Sequence, residues 1–373
     1  MKKNILEFLS CPNCKSDLKL EIFEEVNNIV INGLFLCSRC GKKYPVIQGI
    51  PRFVSLDMYK NSESFKRFYH VYKEDLEFLD LDEDFNATSP DNVNYEIKLK
   101  TVKYFGYEWS RFINWGWIKE EEIPEEERIK YHGGFINNTI SSFKKKSLMD
   151  ESNLSVGKLV LDAGCGNGRY SNQAAGYGAE VIGVDIGTGT VEAAYENTKK
   201  KENIHIIQGD LFKLPFKKGI FDTVFSIGVL MHTGGACKAF RSIAGHVKAG
   251  GVFTAHLYHK LNPVWEMNDF LIRKITTNMS VEKNVEFAGF MSRLGRILAK
   301  MKLIKIANLF IRVQPTLIHM YDWYSAPVAT HHTYDEAKKW YLENDFEVVK
   351  TNESYPYSPF FKPWSLTVKG KKI

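Results

Sequence analysis

The stretch VLDAGCGNG, residues 160–168, decides the fold of this chain. It starts inside an apolar, β-branched run at residues 158–161, which is typical of a short buried strand. An acidic residue follows, then three glycines at alternate positions, and then a segment of helical composition. Glycine lets the backbone turn without a Cβ clash, and the helix that follows offers its free N–H groups to a carboxylate or phosphate. The stretch therefore predicts that a nucleotide-type ligand binds at the carboxyl end of a first parallel strand.

The spacing of the glycines indicates which ligand this is. The dinucleotide fingerprint is G-x-G-x-x-G, and its third glycine would fall where this chain has Arg169. The chain has D-x-G-x-G-x-G instead, from Asp162 to Gly168. This pattern resembles the first motif of class I S-adenosylmethionine-dependent methyltransferases, among them the enzymes of ubiquinone and menaquinone biosynthesis. The resemblance implies S-adenosylmethionine as the cofactor and methyl transfer as the reaction.

Three further matches follow in the order of that family. A second strand, predicted at residues 179–184, ends at Asp185, where a Rossmann-type unit places an acid on the ribose hydroxyls. A third strand at residues 204–208 precedes Asp210, and residues 221–232 closely resemble the fourth motif. A fifth strand and a closing hairpin are predicted at residues 252–257, 346–352 and 364–368. Together these segments predict an α/β fold with a Rossmann-like, seven-stranded class I methyltransferase sheet.

The resemblance also implies a set of site residues. In the family, the acid after the third strand contacts the adenine amino group, and the residues that follow wall the base. The cofactor-binding residues implied for this chain are Asp162, Gly164, Gly166, Gly168, Asp185, Ile186, Asp210, Leu211 and Ser226. Asp185 or Asp210 taken alone could instead be a helix cap.

His232, at the end of the fourth motif, is the first candidate for a catalytic residue. An oxygen acceptor often needs a base, and histidine titrates near neutral pH. A loop histidine bonded to the backbone is an equally good interpretation. His259, His331 and His332 are weaker candidates, and the last two precede a helix predicted at residues 334–344 with Thr333 as its cap.

Two C-x-x-C units stand near the N-terminus. Cys11, Cys14, Cys37 and Cys40 have the spacing of a four-sulfur, tetrahedral zinc site, which leaves no open position for a substrate. We therefore expect a structural Zn²⁺ rather than a catalytic metal or a redox dithiol. The flanking residues 5–12 and 40–51 resemble the small zinc-ribbon activator subunit of tRNA, rRNA and translation-factor methyltransferases, here fused to its catalytic partner.

Composition excludes several classes of protein. The 373 residues are 44% apolar and 25% charged with a net charge of +6, an excess of base too small to predict a nucleic-acid binder. The N-terminus has no secretory apolar region, and no apolar run is long enough to span a membrane. We therefore expect a cytoplasmic protein without a transmembrane segment.

Residues 57–150 match no family as sharply. They contain a turn cluster at residues 88–92 and acidic runs at 120–127 that we interpret as a solvated face. The aromatic segment at residues 105–112 is most simply core packing. Because class I methyltransferases often close their site with an N-terminal helix, Tyr107, Trp109 and Arg111 are candidates for covering the cofactor.

Residues 260–330 depart from the minimal fold. Apolar residues at 287, 290, 291, 294, 297, 298 and 301 recur at helical spacing, with Arg293, Arg296 and Lys300 on other faces. A cap packed on the catalytic domain is the simpler interpretation. The alternative is a basic amphipathic surface for peripheral contact with a membrane or for a polyanionic substrate.

These patterns divide the chain into a zinc ribbon (1–56), an aromatic-rich linker (57–150) and a methyltransferase domain (151–373) with a helical insertion (260–330). The favoured function is methyl transfer to oxygen or carbon of a small-molecule, glycan or lipid-precursor acceptor, which a helical cap could enclose. The alternative is a tRNA or protein methyltransferase with a fused activator. Residues 226–229 lack the Asn/Asp-Pro-Pro-Tyr/Phe motif used on planar nitrogens, so nucleic acid is the less favoured partner. A non-enzymatic regulator is a distant third, and the oligomeric state stays open.

Overall fold

The computed structural model describes residues 1–76, 92–117, 139–353 and 363–373. Most of the predicted turn at 88–92 and the acidic runs at 120–127 lie outside these ranges. The described strands are β1 (Leu18–Val26), β2 (Ile29–Cys37), β3 (Lys43–Ile47), β4 (Ile50–Phe53), β5 (Leu159–Ala163), β6 (Glu180–Asp185), β7 (Ile204–Gly209), β8 (Phe221–Ile227), β9 (Val247–Tyr258), β10 (Phe346–Thr351) and β11 (Ser365–Lys372).

The described helices lie between and before these strands. They are α1 (Glu63–Leu76), α2 (Asn92–Arg111), α3 (Thr139–Ser147), α4 (Arg169–Ala175), α5 (Thr188–Thr198), α6 (Ala236–Ala244), α7 (Pro263–Thr276), α8 (Val281–Lys300), α9 (Ile304–Ala307), α10 (Leu317–Ser325) and α11 (Tyr334–Leu342). No helix in the described part of the chain combines the length and the apolar composition needed to cross a bilayer.

The predicted α/β fold is confirmed. Strands β5 to β11 form a sheet of order β7-β6-β5-β8-β9-β11-β10, in which β5 to β9 pair in parallel and β11 pairs antiparallel with both β9 and β10. The core strands β5 and β7 are buried along their whole length, because helices cover both faces of the sheet. The parallel strands therefore bring their carboxyl ends to one edge, where the glycine stretch lies.

The N-terminal ribbon joins this sheet instead of forming a sheet of its own. Strand β4 pairs in parallel with β7, with Arg52 opposite Gln208 and Phe53 opposite Gly209, so that eleven described strands form one sheet. Arg52 is buried, and its guanidinium donates to Gln208 Oε1 at 2.9 Å and to Glu192 Oε1 on α5 at 3.0 Å. The sequence predicts a small zinc ribbon at residues 1–56 fused to the catalytic domain, and it gives no signal that the two share one sheet.

The insertion is helical, as predicted, and carries α7 to α10. Its core is an aromatic cluster around Trp265, Trp323 and Tyr324. The predicted apolar stripe of α8 only partly faces this core. Met291 is buried, but Phe290, Ile297 and Met301 point to solvent.

Candidate functional site

A cleft lies at the carboxyl ends of β5 to β8. Its volume is about 830 Å³ including its open mouth. Helix α2 forms one wall with Ile97, Lys98, Thr101, Phe105 and Trp109. The other lining residues are Gly164, Gly166, Asp185, Ile186, Asp210, Leu211, Phe212, Ile227, Gly228, Val229, His232, Thr233 and Asp322.

The glycine loop after β5 forms the floor of the cleft. Gly164, Gly166 and Gly168 have φ values of 92°, 56° and 81°, in the left-handed region that a side chain rarely adopts. A Cβ at Gly164 would overlap the Val229 side chain, and one at Gly166 would lie 3.4 Å from the Trp109 ring. The glycines therefore let the chain turn and keep the floor open to a ligand.

Two acids lie at this end of the sheet in different roles. Asp185 lines the cleft, and its carboxylate accepts hydrogen bonds from the backbone N–H groups of Gly166 (3.2 Å) and Gly187 (3.0 Å). Burial raises the pKa of Asp185 to about 6. Asp162 does not line the cleft, because its carboxylate is buried and accepts a hydrogen bond from Ser171 Oγ at 2.6 Å. Burial also raises the pKa of Asp162, to about 7.

Asp210 is held from two sides. Its Oδ1 accepts from the backbone N–H of Phe212 at 2.9 Å, and its Oδ2 lies 2.6 Å from Nζ of Lys98 on α2. The same ammonium lies 4.9 Å from the centre of the Phe212 ring. Asp210 and Asp185 therefore each make a local bond of the kind expected for a cap, while both face the cleft.

His232 follows β8 in a short 3-10 turn and is 4% exposed. Its Nδ1 lies 2.7 Å from the carbonyl oxygen of Val328, which can only accept a hydrogen bond, so Nδ1 carries the proton of the neutral ring. Nε2 then presents a lone pair, and no described residue donates to it. Burial lowers the pKa of His232 to about 3, so the ring is neutral at physiological pH.

A third acid faces the cleft, and it comes from the insertion. Asp322 on α10 lines the cavity, and within the described residues its carboxylate takes part in no hydrogen bond or ion pair. Burial raises its pKa despite the attraction of surrounding cations, of which Arg169 acts most strongly. Glu108 on α2 is fully buried nearby, and burial together with the charge of Asp322 holds the pKa of Glu108 well above its usual range.

The four N-terminal cysteines converge in the ribbon, away from the cleft. Their Sγ atoms all lie within 4.8 Å of one another, with Cys11 to Cys40 at 3.6 Å and Cys14 to Cys37 at 3.3 Å. A Zn–S bond of about 2.3 Å places tetrahedral sulfurs about 3.8 Å apart, so the cluster fits zinc. The knuckle beside Cys11 also touches the segment after Asp210, because Ser10 N donates to Pro215 O at 2.9 Å and Lys15 Nζ to Leu214 O at 2.8 Å.

The structure brings most of the predicted site residues to this cleft. Seven line it, namely Gly164, Gly166, Asp185, Ile186, Asp210, Leu211 and His232. Asp162, Gly168 and Ser226 lie behind the floor, and Ser226 Oγ donates to Ala163 O at 2.8 Å. Of the aromatic-segment candidates only Trp109 lines the cleft, and Tyr107 packs on Tyr321 with ring centres 5.6 Å apart. His259, His331 and His332 do not line it.

Sequence reasoning did not find Lys98 or Asp322. Lys98 lies in the first half of α2, ahead of the aromatic segment, in a stretch without a recognisable motif. Asp322 lies in an aromatic stretch, residues 321–324, whose position over the cleft depends on the insertion's fold. A charged residue within an apolar stretch was the only signal for Asp322, and it could not say which surface the side chain would face.

The fold and this cleft define the class of the catalytic domain, and comparison with family models agrees. Residues 161–255 match the family described as "Methyltransferase domain", and residues 2–49 match "Trm112p-like protein". Residues 161–255 thus match a methyltransferase domain and residues 2–49 a Trm112p-like ribbon, as the sequence predicted.

Individual relatives are similar over short segments. A demethylmenaquinone methyltransferase of Staphylococcus haemolyticus is 35% identical over 95 residues, which are 23% of this chain and 40% of the relative. A tRNA U34 carboxymethyltransferase of Psychromonas ingrahamii is 42% identical over 79 residues, 20% of this chain and 24% of the relative. The chain thus spans less than half the length of these curated relatives.

Among solved structures, a complex between the Haloferax volcanii Trm112 methyltransferase activator and a putative methyltransferase is 13% identical. It covers 72% of this chain and 96% of that chain with a TM-score of 0.40, a likeness too low to bear on function.

Proposed function

We propose that this protein transfers a methyl group from S-adenosylmethionine to a hydroxyl or activated carbon of a small-molecule, glycan or lipid-precursor acceptor. The observation that carries the proposal is the convergence of the open glycine loop, Asp185 and Asp210 on one cleft that α2 covers. The match of residues 161–255 to methyltransferase domains supports it.

The residues of the cleft fit the cofactor. A carboxylate accepts two hydrogen bonds from a diol, and Asp185 has lone pairs left beyond its two backbone bonds to hold the ribose. Asp210 and Leu211 would border the adenine, and the floor at Gly164 and Gly166 would take the rest of the cofactor against the main chain. S-adenosylmethionine, when bound, supplies an electrophilic methyl group, and the cleft aligns the acceptor within about 3–3.5 Å of it.

The far end of the cleft supplies hydrogen-bond acceptors for the methyl acceptor. His232 offers the lone pair of Nε2, and Asp322 offers a carboxylate without a described partner. These groups suit an acceptor that carries an O–H or another donor. S-adenosylmethionine would supply the methyl group and leave as the neutral thioether, and Asp322 would take the proton that an acceptor hydroxyl loses when it is methylated.

His232 positions the acceptor in this proposal and is not its main base. A pKa of about 3 makes its protonated form costly, whereas burial makes Asp322 a stronger base than an exposed aspartate. His232 still contacts the acceptor, so it stays a catalytic residue in this proposal.

The runner-up is methylation of tRNA or protein, favoured by one observation, the activator-like ribbon at residues 2–49. The aromatic cap and the enclosing helix α2 favour a compact acceptor instead. The Zn²⁺ that we assign to Cys11, Cys14, Cys37 and Cys40 would be structural, because all four ligand positions are protein sulfurs.

The test uses S-adenosylmethionine labelled in its methyl group, incubated with the full chain and an extract of the source cells. The extract is separated into lipid, RNA, protein and small-molecule fractions. We expect label in the lipid or small-molecule fraction, and none with Asp185→Ala. Label confined to RNA or protein would overturn the acceptor assignment, and no transfer together with no S-adenosylmethionine binding by calorimetry would overturn the enzyme assignment.

A further inference from the structure

Helix α7 has its amphipathic pattern reversed. Its outward side carries Val264, Met267, Phe270, Leu271 and Ile275, and both Phe270 and Ile275 are 64% exposed. Its buried side carries Trp265, Asp269, Arg273 and Thr276, with Asp269 only 3% exposed. A surface helix of a globular protein normally turns its apolar stripe to the core. The outward stripe therefore needs an explanation other than packing within the chain.

The orientation of α7 is fixed by polar contacts. Asp269 accepts from Arg273 Nε at 2.8 Å and from Trp323 Nε1 at 2.7 Å. Thr276 Oγ1 donates to Tyr324 O at 2.7 Å, and Asn284 of α8 donates to Thr276 O at 3.1 Å. Rotating the helix to bury its apolar side would break these buried hydrogen bonds, each costly to leave unmade.

The apolar surface continues beyond α7. Asn262 and Asn268 donate from the α7 region to the carbonyl oxygens of Leu309 and Phe310, at 2.9 and 3.0 Å. Phe310 therefore lies beside α7, and Ile306 stands one turn before it. We use the name outer apolar face for the exposed apolar residues of this surface. They are Val264, Met267, Phe270, Leu271, Ile275, Ile306 and Phe310. Isolated exposed apolar residues are ordinary, but a contiguous set marks an interaction site.

Cations predominate among the exposed charged residues of the segment that carries this face. Exposed cations in the described span 260–310 are Lys260, Lys274, Lys283, Arg293, Lys300, Lys302 and Lys305, against the exposed acids Glu282 and Glu286. Apolar side chains bordered by lysine and arginine form the pattern by which amphipathic helices enter an anionic lipid surface. A second copy of this chain fits less well, because it would bring two basic rims together.

We propose that the outer apolar face lies in the headgroup region of a bilayer that contains anionic lipid, with the basic residues on its phosphates. The face is one helix away from the cleft, since Asp322 lines the cleft while the next residue, Trp323, is bonded to Asp269 of α7. The inference rests on the proposed function, because docking there holds the cap beside a membrane-borne acceptor.

The test is co-sedimentation of the full chain with vesicles of phosphatidylcholine, with or without about 30 mol% phosphatidylglycerol. The variant is Phe270→Ser/Ile275→Ser. The matched control is Val156→Ser/Leu342→Ser, which removes two apolar side chains elsewhere that are at least as exposed. We expect the wild type and the control to bind the anionic vesicles. The face variant should bind them with an affinity at least about tenfold lower. Binding should weaken as salt rises, and S-adenosylmethionine affinity should stay the same in all three proteins.

Other results would overturn the proposal. They are equal binding by the face variant and the wild type, no vesicle binding at all, or a concentration-dependent dimer that the face variant abolishes, which would assign the face to a second copy. If the wild type binds RNA but not vesicles, and the face variant loses that RNA binding, the outer apolar face would be assigned to nucleic acid. The proposed function is tested separately, by methyl transfer. Vesicle binding without transfer would therefore overturn the proposed function but support the docking proposal.

Discussion

The ammonium of Lys98 lies 2.6 Å from Oδ2 of Asp210, and this ion pair joins the helix that covers the cleft to the end of strand β7. Both side chains are less than one-fifth exposed, so solvent screens the pair less than a surface pair. The pair places a cation from α2 beside the acid that the family resemblance assigns to adenine. We infer that it holds α2 over the cofactor.

The first prediction is a coupling between these two residues in cofactor binding. Lys98→Met and Asp210→Asn should each weaken S-adenosylmethionine binding, because each releases α2 from β7. The loss of binding free energy in the double variant should be smaller than the sum of the two single losses. The difference, which is the coupling energy of the pair, should be about 1 kcal/mol. Calorimetric titration of the four proteins measures this. Strictly additive losses would mean that the pair does not act as a unit.

The second prediction concerns the pH dependence of binding. Burial raises the pKa of Asp185 to about 6, so the carboxylate is roughly one-tenth ionised at pH 5 and nine-tenths at pH 7. The ribose hydroxyls donate to the ionised form, so affinity should rise with pH, by about tenfold over this range, and level off above it. Asp185→Asn should bind more weakly and lose most of the rise. Asp17→Asn, exposed on the ribbon, should keep it. A flat profile in the wild type would contradict the ribose assignment.

Local signals made much of the fold predictable. The glycine loop, the alternation of strands and helices, and the Thr333 cap all depend on neighbouring residues in the chain. Thr333 Oγ1 accepts from Glu336 N at 3.2 Å, and Glu336 accepts in return from Thr333 N at 2.9 Å, as a capping box requires. The acids Asp185 and Asp210 were also found, because each directly follows or ends a recognisable strand.

Contacts made by residues far apart in sequence could not be predicted. The pairing of β4 with β7 depends on the ribbon finding an open sheet edge, and Arg52 gave no local signal of it. The exposed side of α7 has the same helical period as a core-facing stripe, so periodicity could not give its direction. Asp322 and Lys98 reach the cleft only through tertiary packing.

The third prediction tests how the ribbon is held to the catalytic domain. Arg52→Met should leave Gln208 Oε1 without its buried donor, while the partly exposed Glu192 keeps the hydrogen bond from Ser64 Oγ, and should lower the free energy of unfolding by about 2 kcal/mol. Urea denaturation measures this. The matched control is Arg241→Met, which removes an exposed pair with Glu343 that solvent screens, and it should change stability much less than Arg52→Met does. Equal effects of the two variants would refute a special role for Arg52.

The fourth prediction joins the metal to the cofactor. The wild type should contain one equivalent of zinc, absent from Cys37→Ser/Cys40→Ser. That variant should be less stable and bind S-adenosylmethionine more weakly, because the Cys11 knuckle holds Pro215 and Leu214 beyond Asp210. Cys237→Ser, outside the cluster, should keep the metal and the affinity. Metal analysis and calorimetry on the same samples decide it. A zinc-free wild type that stays folded would rule out a structural site.

The last prediction separates the roles of His232 and Asp322, measured as transfer of labelled methyl into the acceptor fraction. Asp322→Asn keeps the shape of the side chain but cannot take a proton. It should lower transfer by about a hundredfold or more, within the range of general base catalysis, while S-adenosylmethionine affinity changes by less than about twofold. Asp335→Asn, on α11 away from the cleft, is the matched control and should behave as the wild type.

Two substitutions of His232 test which of its nitrogens matters. Asparagine can still donate to Val328 O from the place of Nδ1 but leaves nothing at Nε2, whereas glutamine reaches the place of Nε2. If Nε2 positions the acceptor, His232→Gln should retain more transfer than His232→Asn. With its pKa at about 3, His232 stays neutral between pH 5 and pH 9, so the wild type and His232→Gln should share one pH profile. An inflection near pH 6.5 that disappears in His232→Gln would instead identify His232 as the base and overturn the role given to Asp322.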